Sequence, residues 1–525
     1  LSTNLIIPKT AEKGTYEGYV TFTNTADPTE TYQIPFGGRV VEEGIAAFNL
    51  FNPLMSDKVV WPDTALPTIN ANFTLKSHMR SIDLVLQDPT TGEDIGLLGT
   101  LDPTLMNENQ QYLILKAFSG VYFPFTGDQN NPVSKEAALV PKGHYKLRLI
   151  GTNDKGKTFS AAQDILFESG APNVTTSFDS VDQKVIEYTD SQLDSKGEMI
   201  YDFNINVNDP EIEEAKRYGI NVDQSQNGIV TFYNSSFPSP AMQTDENGDY
   251  TDQILVKNSI PFLTVSYYAF DAARNASQID SVAFTKNTTP YYYLKVNKKQ
   301  VTNGEAVNYT VRSNNIKKLK TSKFVINMGN SSAAIENVTV NDAVKQYGDA
   351  KVKLETSPRT TTSTNYTMTF TYLGDKELPE DLQLFNFDIK TLDGYQIRYP
   401  LGGNINATTI DQSNVETKNV YNYFEVPTLK MKTSSLNGSI RLEGTLNPAT
   451  NQTNYKIDQT TIGAKITLTS YEGKSINVPL TSPNGGIGVD GFKADSKPYT
   501  LTFDAPGHFT KNVQLVISDQ VQVKL

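Results

Sequence analysis

KGTYEGYVTFTNTADPTETYQIPFGGRV, from Lys13 to Val40, reads as two strands joined by a turn. Tyr16, Val20 and Phe22 alternate with Glu17, Thr21 and Thr23, the period of a strand with one buried face. Asn24 to Asp27, followed by Pro28, supplies turn chemistry, and TYQIPF then resumes the extended pattern. Pro35 has no N–H to give to a ladder, so the second strand belongs at a sheet edge or a bulge.

The same grammar runs through all 525 residues: Thr-, Val-, Ile-, Tyr- and Phe-rich runs between clusters of Gly, Pro, Asn and Asp, with almost no helical periodicity. It predicts an all-β chain of tandem β-sandwich domains, the first of them truncated. At about 100–200 residues per domain, roughly three to five are expected. A hydrophobic content of 38% suits several small cores rather than one large one. With no cysteine, the chain has no disulfide, thiolate metal site or cysteine nucleophile. A formal charge of −12 argues against a nucleic-acid partner, because phosphate binding needs basic surface. No apolar run approaches the ~20 residues that span a bilayer as a helix.

GTYEGYVTF, a short loop and IPFGG resemble the last strands of the fibronectin-III-like domain that follows the catalytic domain in subtilisin-like cell-envelope proteases of Gram-positive bacteria. The resemblance covers roughly the first forty residues. It implies that a further half-sandwich, and before it a protease, precede Leu1, and that the chain is extracellular or on the cell surface. Residues 1–43 hold three expected strands, TNLIIPK, TYEGYVTF and TYQIPFGG. About forty residues without disulfide or metal bury too little apolar surface to fold alone. Tyr16, Val20, Phe22, Ile34 and Phe36 therefore need a cover: an upstream protease domain, the next sandwich or another chain.

Four further units follow. Residues 44–169 carry strands at VVW (Val59 to Trp61) and a hairpin in which HYKLRLIGT and KTFSAAQDILF flank Asn153 to Gly156. Tyr145, Leu147 and Leu149 should face its core. The aromatic loop Phe118 to Asn131 packs over the end of a sandwich or binds a ligand. Residues 170–289 contain one short helix, Pro210 to Tyr218, capped by Asp209, with Glu211, Glu213 and Glu214 at the favourable end of its dipole. That placement explains the carboxylates without an acid/base pair. FLTVSYYAFDAARNASQIDSVAF, turning at Ala272 to Asn275, resembles the last hairpin of bacterial immunoglobulin-like domains. Residues 290–417 resemble a cohesin-like sandwich in pattern, and cohesins bind dockerins, but no docking face is identifiable; the basic run Lys317 to Lys320 reads as a solvated loop. Residues 418–525, with YTLTFDAPGHF, resemble the carboxypeptidase-regulatory-like domain.

Subtilisin-like catalysis needs Asp, His and Ser in local motifs. The three histidines, His78, His144 and His508, stand in no such context, and no catalytic or cofactor-binding residue is assigned. One metal candidate remains. DENGDYTD offers side-chain oxygens at Asp245, Asn247, Asp249 and Asp252, a spacing that wraps a Ca2+ ion, although Gly248 comes too early for an EF-hand and no glutamate closes the loop. The competing reading is a β-turn, for which Asn-Gly is a strong signal. Two functions fit: a non-catalytic spacer and docking region of a subtilisin-like extracellular serine endopeptidase, with a protein or cell-wall ligand, or an independent adhesin or fibre-forming surface protein.

Overall fold

In the computed structural model, the strands Gly14–Thr23 and Thr31–Val40 pair antiparallel along their whole length, from Gly14 opposite Val40 to Thr23 opposite Thr31. Asn24 Oδ1 accepts from the Ala26 N–H, and Asp27 Oδ1 from the Thr29 N–H and hydroxyl, which closes the turn. The ribbon forms a two-stranded sheet by itself, so Pro35 lies on an edge strand. Gly18 sits opposite Phe36, whose ring would be 2.9 Å from any Cβ at that position. The structure describes all residues except 1–5, 9, 57–67, 169, 180–183, 235–237, 303, 330–332, 358–362, 392–404, 431–433, 441–445, 448–451, 454–462, 482–484, 494–496, 516, 518–521 and 525. The expected strand at Val59 to Trp61 lies outside them. So does most of TNLIIPK, whose described residues Ile6, Ile7 and Pro8 are exposed and not in a strand.

The chain is all-β with two short α-helices and two single 3-10 turns among its described residues, and it divides into two compact units. The first comprises residues 1–55, 68–167 and 218–220. Beyond the ribbon it holds a three-stranded sheet (Ile45–Leu50, Ile69–Leu75, Gln111–Phe118) and a larger one centred on Ser81–Gln87 and Gly143–Thr152. The expected hairpin is present, with Gly143 opposite Phe167 and Thr152 opposite Thr158. Asn153 Oδ1 accepts from the N–H groups of Lys155 and Lys157 to form its turn. Leu147 and Leu149 are fully buried and Tyr145 packs beside them. Of the aromatic loop, Phe118 is buried edge-on against Phe167 and Tyr122 packs on the core, while Phe123 and Phe125 are about one-third exposed, at 36% and 37%.

The second unit comprises residues 56–67, 168–217 and 221–525. Its first core is aromatic: Phe178 stacks on Phe203 at 5.4 Å between a three-stranded sheet (Asn173–Thr176, Glu198–Asn208, Asp249–Lys257) and a five-stranded one built on Phe262–Phe270. The helix runs Glu211–Arg217, one residue shorter at each end than expected. Asp209 Oδ1 caps it by accepting from the Glu211 N–H at 2.9 Å. A nine-stranded sheet follows, its two halves joined where Tyr291–Val296 pairs in parallel with Glu416–Phe424. Inside it the fully buried Tyr292 hydroxyl bonds Ser322 and Thr409, and burial pushes that phenol up to about 12. The neighbouring strand residues Tyr291 and Tyr293 point the other way, into a buried cluster with Val185, Phe262, Ala283 and Tyr423. The last core gathers Leu436, Ile466, Leu468, Leu501 and Leu515.

Candidate functional site

Asp245, Asn247, Asp249 and Asp252 do not converge. Asp245 Oδ1 accepts from the N–H groups of Asn247 and Asp249, and Gly248 takes φ 85°, the geometry of a hairpin turn. Asn206 Nδ2 donates to Asp249 Oδ1 at 2.8 Å. Asp252 lies three residues further along the same strand, which places it on the opposite face of the sheet. Its charge raises the pKa values of Tyr233 and Tyr250 there, after burial. Lys317 is exposed and pairs with Glu380, and Lys320 Nζ donates to Asn414.

The histidines are equally scattered. His78 is exposed. His508 Nδ1 lies 3.0 Å from the Pro506 carbonyl. His144 Nε2 is 2.7 Å from Asp164 Oδ1, and its ring stacks on Tyr218 at 3.9 Å. Lys146 Nζ donates to the other oxygen of Asp164. This makes a structural ion-pair cluster across two paired strands.

A group that the sequence reading passed over is more unusual. Four carboxyl side chains from three segments of the second unit lie together: Glu168 at a strand end, Asp209 and Glu211 at the helix start, and Asp271 in the turn after Phe262–Phe270. Asp209 and Asp271 are fully buried. Glu211 lies in the first turn of the helix as expected, and in addition Oε2 of its carboxyl is buried, as is Oδ2 of Asp209. Asn275 Nδ2 donates to Glu168 Oε1 at 2.8 Å and to Asp271 Oδ2 at 3.0 Å, while the Gly170 N–H donates to Glu168 Oε2. The Gln224 amide holds the Asp209 backbone from both sides. Burial first, then the charge of Asp271, pushes Glu168 up to about 9 and Asp209 up to about 8; burial holds Asp271 at about 7.

No family model matches the chain. No curated protein matches it either. Among solved structures it is similar to the fibronectin(III)-like modules of Clostridium thermocellum CbhA, at 12% identity and TM-score 0.24, over 46% of this chain and 94% of that one. It is similar to BcpA, the major pilin subunit of Bacillus cereus, at 11% identity and TM-score 0.19, over 57% and 93%. It is also similar to type II cohesin A11 of Bacteroides cellulosolvens, at 11% identity and TM-score 0.19, over 27% and 99%. At such scores these likenesses carry no functional argument, and the chain's own residues must supply one.

One further surface in the second unit has shape. Phe262 and Tyr421 stack at 5.4 Å beside a shallow cleft of about 330 Å³, lined also by Asn234, Thr264, Asn406 and Asn422. The two rings are spent largely on each other, which leaves amides as the cleft's exposed polar groups.

Proposed function

We propose that the chain is a non-catalytic array of β-sandwiches that spaces and docks a subtilisin-like serine endopeptidase outside the cell or at its surface. Its sandwiches are assigned to residues 44–169, 170–289, 290–417 and 418–525. Residues 1–43 complete a fibronectin-III-like domain with strands from the protease's own chain. The observation that carries this reading is the Gly14–Val40 ribbon. Val20, Phe22, Tyr32, Ile34 and Phe36 share one face, where Tyr32 and Ile34 are 68% and 57% exposed and the other three only half-buried, and Tyr19 on the opposite face is 65% exposed. Ten paired residues per strand leave two long outer edges of backbone donors and acceptors, a template for strand addition.

The spacer role is supported by the buried joint within the second unit. Tyr291 donates to Glu187 at 3.0 Å, and Tyr291 and Tyr293 join Val185, Phe262 and Ala283 in one buried cluster, so two sandwiches share one polar-aromatic seam. The test compares the 525-residue chain with a version lacking residues 1–43, by light scattering and hydrogen exchange. Strand protection that appears only on adding the catalytic part, or only in an oligomer, supports docking by strand addition. Self-assembly into dimers or fibres through this ribbon selects the adhesin reading instead. A monomer whose ribbon is already protected removes the docking argument.

A further inference from the structure

The shallow cleft beside Phe262 and Tyr421 is lined by four asparagines, Asn234, Asn406, Asn419 and Asn422, and by Thr264. The described residues around it include no acidic or basic side chain, in a chain of which 20% is charged. An amide carries both donors and an acceptor, so this lining can pair with hydroxyl groups in either sense. Two of the four asparagines are placed by unusual backbone. Ala407 stands opposite Val420 and Thr408 opposite Lys418, which leaves Asn419 as the extra residue of a bulge, at φ 55°. Such a bulge re-aims a side chain out of the regular alternation of its strand. Asn234 takes φ 48°, and its Oδ1 accepts from the Thr264 N–H at 2.8 Å, which fixes the amide plane and leaves Nδ2 for a ligand. Asn422 Nδ2 donates to the Ile405 carbonyl at 3.3 Å, which holds its Oδ1 in place, and Asn406 is exposed.

The floor of the cleft is pinned from below. Phe262 belongs to the buried cluster with Tyr291, Tyr293 and Tyr423, and the Tyr423 hydroxyl donates to the Ser281 carbonyl at 2.6 Å. Phe262 lies nearly parallel to Tyr421, at 6°, and covers one side of that ring, while Tyr421 as a whole remains 39% exposed. A ring held in this way meets a ligand with little further loss of rotamer freedom. We propose that the cleft binds a neutral saccharide, with the Tyr421 ring packed against the C–H groups of a sugar and the four asparagines paired with its hydroxyls. An uncharged lining excludes recognition by ion pairs, and hydroxyls that both donate and accept are what amides match. Phe262–Phe270 and Glu416–Phe424 each lie between two neighbours in their sheets, so the cleft lacks the open edge that an extended peptide would join. Its volume of about 330 Å³ is at the small end for ligand sites and suits about one or two sugar units of a longer chain. This site goes beyond the spacing and docking role and stands whether or not a protease is attached.

The experiment uses the whole chain and ligand-observed saturation-transfer NMR, with neutral trisaccharides of glucose, of mannose and of N-acetylglucosamine as probes. A per-O-methylated trisaccharide, trigalacturonate and a neutral asparagine-rich peptide are run beside them. Transfer to the ring protons of at least one neutral trisaccharide is expected, and none to the methylated one, because a site built for hydroxyls rejects an analogue without them. Tyr421→Ala should weaken binding roughly tenfold through the lost ring contact. That substitution also uncovers Phe262, so the double variant Asn406→Ala with Asn419→Gly is made in parallel. Both residues are exposed, and glycine keeps the positive φ at 419. The double variant should lose binding by a similar factor with an unchanged melting temperature. Tyr471→Ala, which removes an exposed ring elsewhere in the second unit, should bind as the unsubstituted chain does. Four results overturn the proposal: no transfer to any of the three neutral trisaccharides, transfer unchanged in both cleft variants, equal transfer to the methylated or the charged probe, or stronger transfer to the peptide that the same variants abolish. The docking role of the Gly14–Val40 ribbon is read by its own experiment, so either can fail without the other.

Discussion

Replacing Asp209 by Asn is expected to stabilise the second unit at neutral pH and to leave it unchanged in acid. The unfolded chain ionises this carboxyl near 3.8, whereas the fold holds it protonated up to about 8. Stability is therefore unaffected below about pH 4, falls as pH rises from there, and levels off above about pH 8. At about 1.4 kcal/mol per pH unit, the roughly three units between 3.8 and neutrality correspond to about 4 kcal/mol. Asn removes that cost. Its Oδ1 keeps the bond from the Glu211 N–H, and its amide puts a donor where Asp209 Oδ2 has none. Glu168, Glu211 and Asp271 remain buried and keep part of the repulsion, so a gain of about 2 kcal/mol near pH 7 is the realistic expectation. Urea unfolding at about pH 4 and about pH 7 reads the difference directly. A variant destabilised equally at both pH values would show that Asp209 is ionised in the fold, and the burial argument would fail.

Phe178→Ala should cost about 3–5 kcal/mol in calorimetric unfolding of the second unit, because it empties an aromatic stack with Phe203 and Tyr201. A loss below about 1 kcal/mol would mean that this core collapses to fill the space. Gly248→Ala should speed hydrogen exchange along Asp249–Lys257, since Gly248 has φ 85° and a Cβ would collide with the Val207 carbonyl; unchanged exchange would contradict that turn geometry. Tyr293→Phe removes a buried bond to Glu425 and should cost about 1–3 kcal/mol by urea unfolding, with no effect expected if water replaces the hydroxyl. The purified chain should neither cleave casein nor react with a fluorophosphonate, and covalent labelling of any serine would refute its non-catalytic assignment.

The strands were legible wherever one face is buried and a turn closes locally. The alternation of Leu147 and Leu149 with Arg148, and the Asn153 turn beside them, carry both signals within a few residues. The ribbon's strands were legible too, but alternation says only that Val20 and Phe36 share a face, not what covers it. The carboxylate cluster was hidden for a different reason. Each member has a sufficient local explanation: Asp209 caps a helix, Glu211 sits in its first turn, Asp271 opens a tight turn, and Glu168 ends a strand. Local rules account for one oxygen of each aspartate and never ask about the second. Only the packing of three segments separated by tens of residues turns those spare oxygens toward one another. The local signal that remained was Asn275, four residues after Asp271 and buried to 1%, because a buried amide needs partners for both of its ends. Its Oδ1 accepts from the Ser56 hydroxyl, so its Nδ2 is committed to Glu168 and Asp271. One amide cannot neutralise four acids. The fold therefore keeps protons there at neutral pH, at a cost in stability.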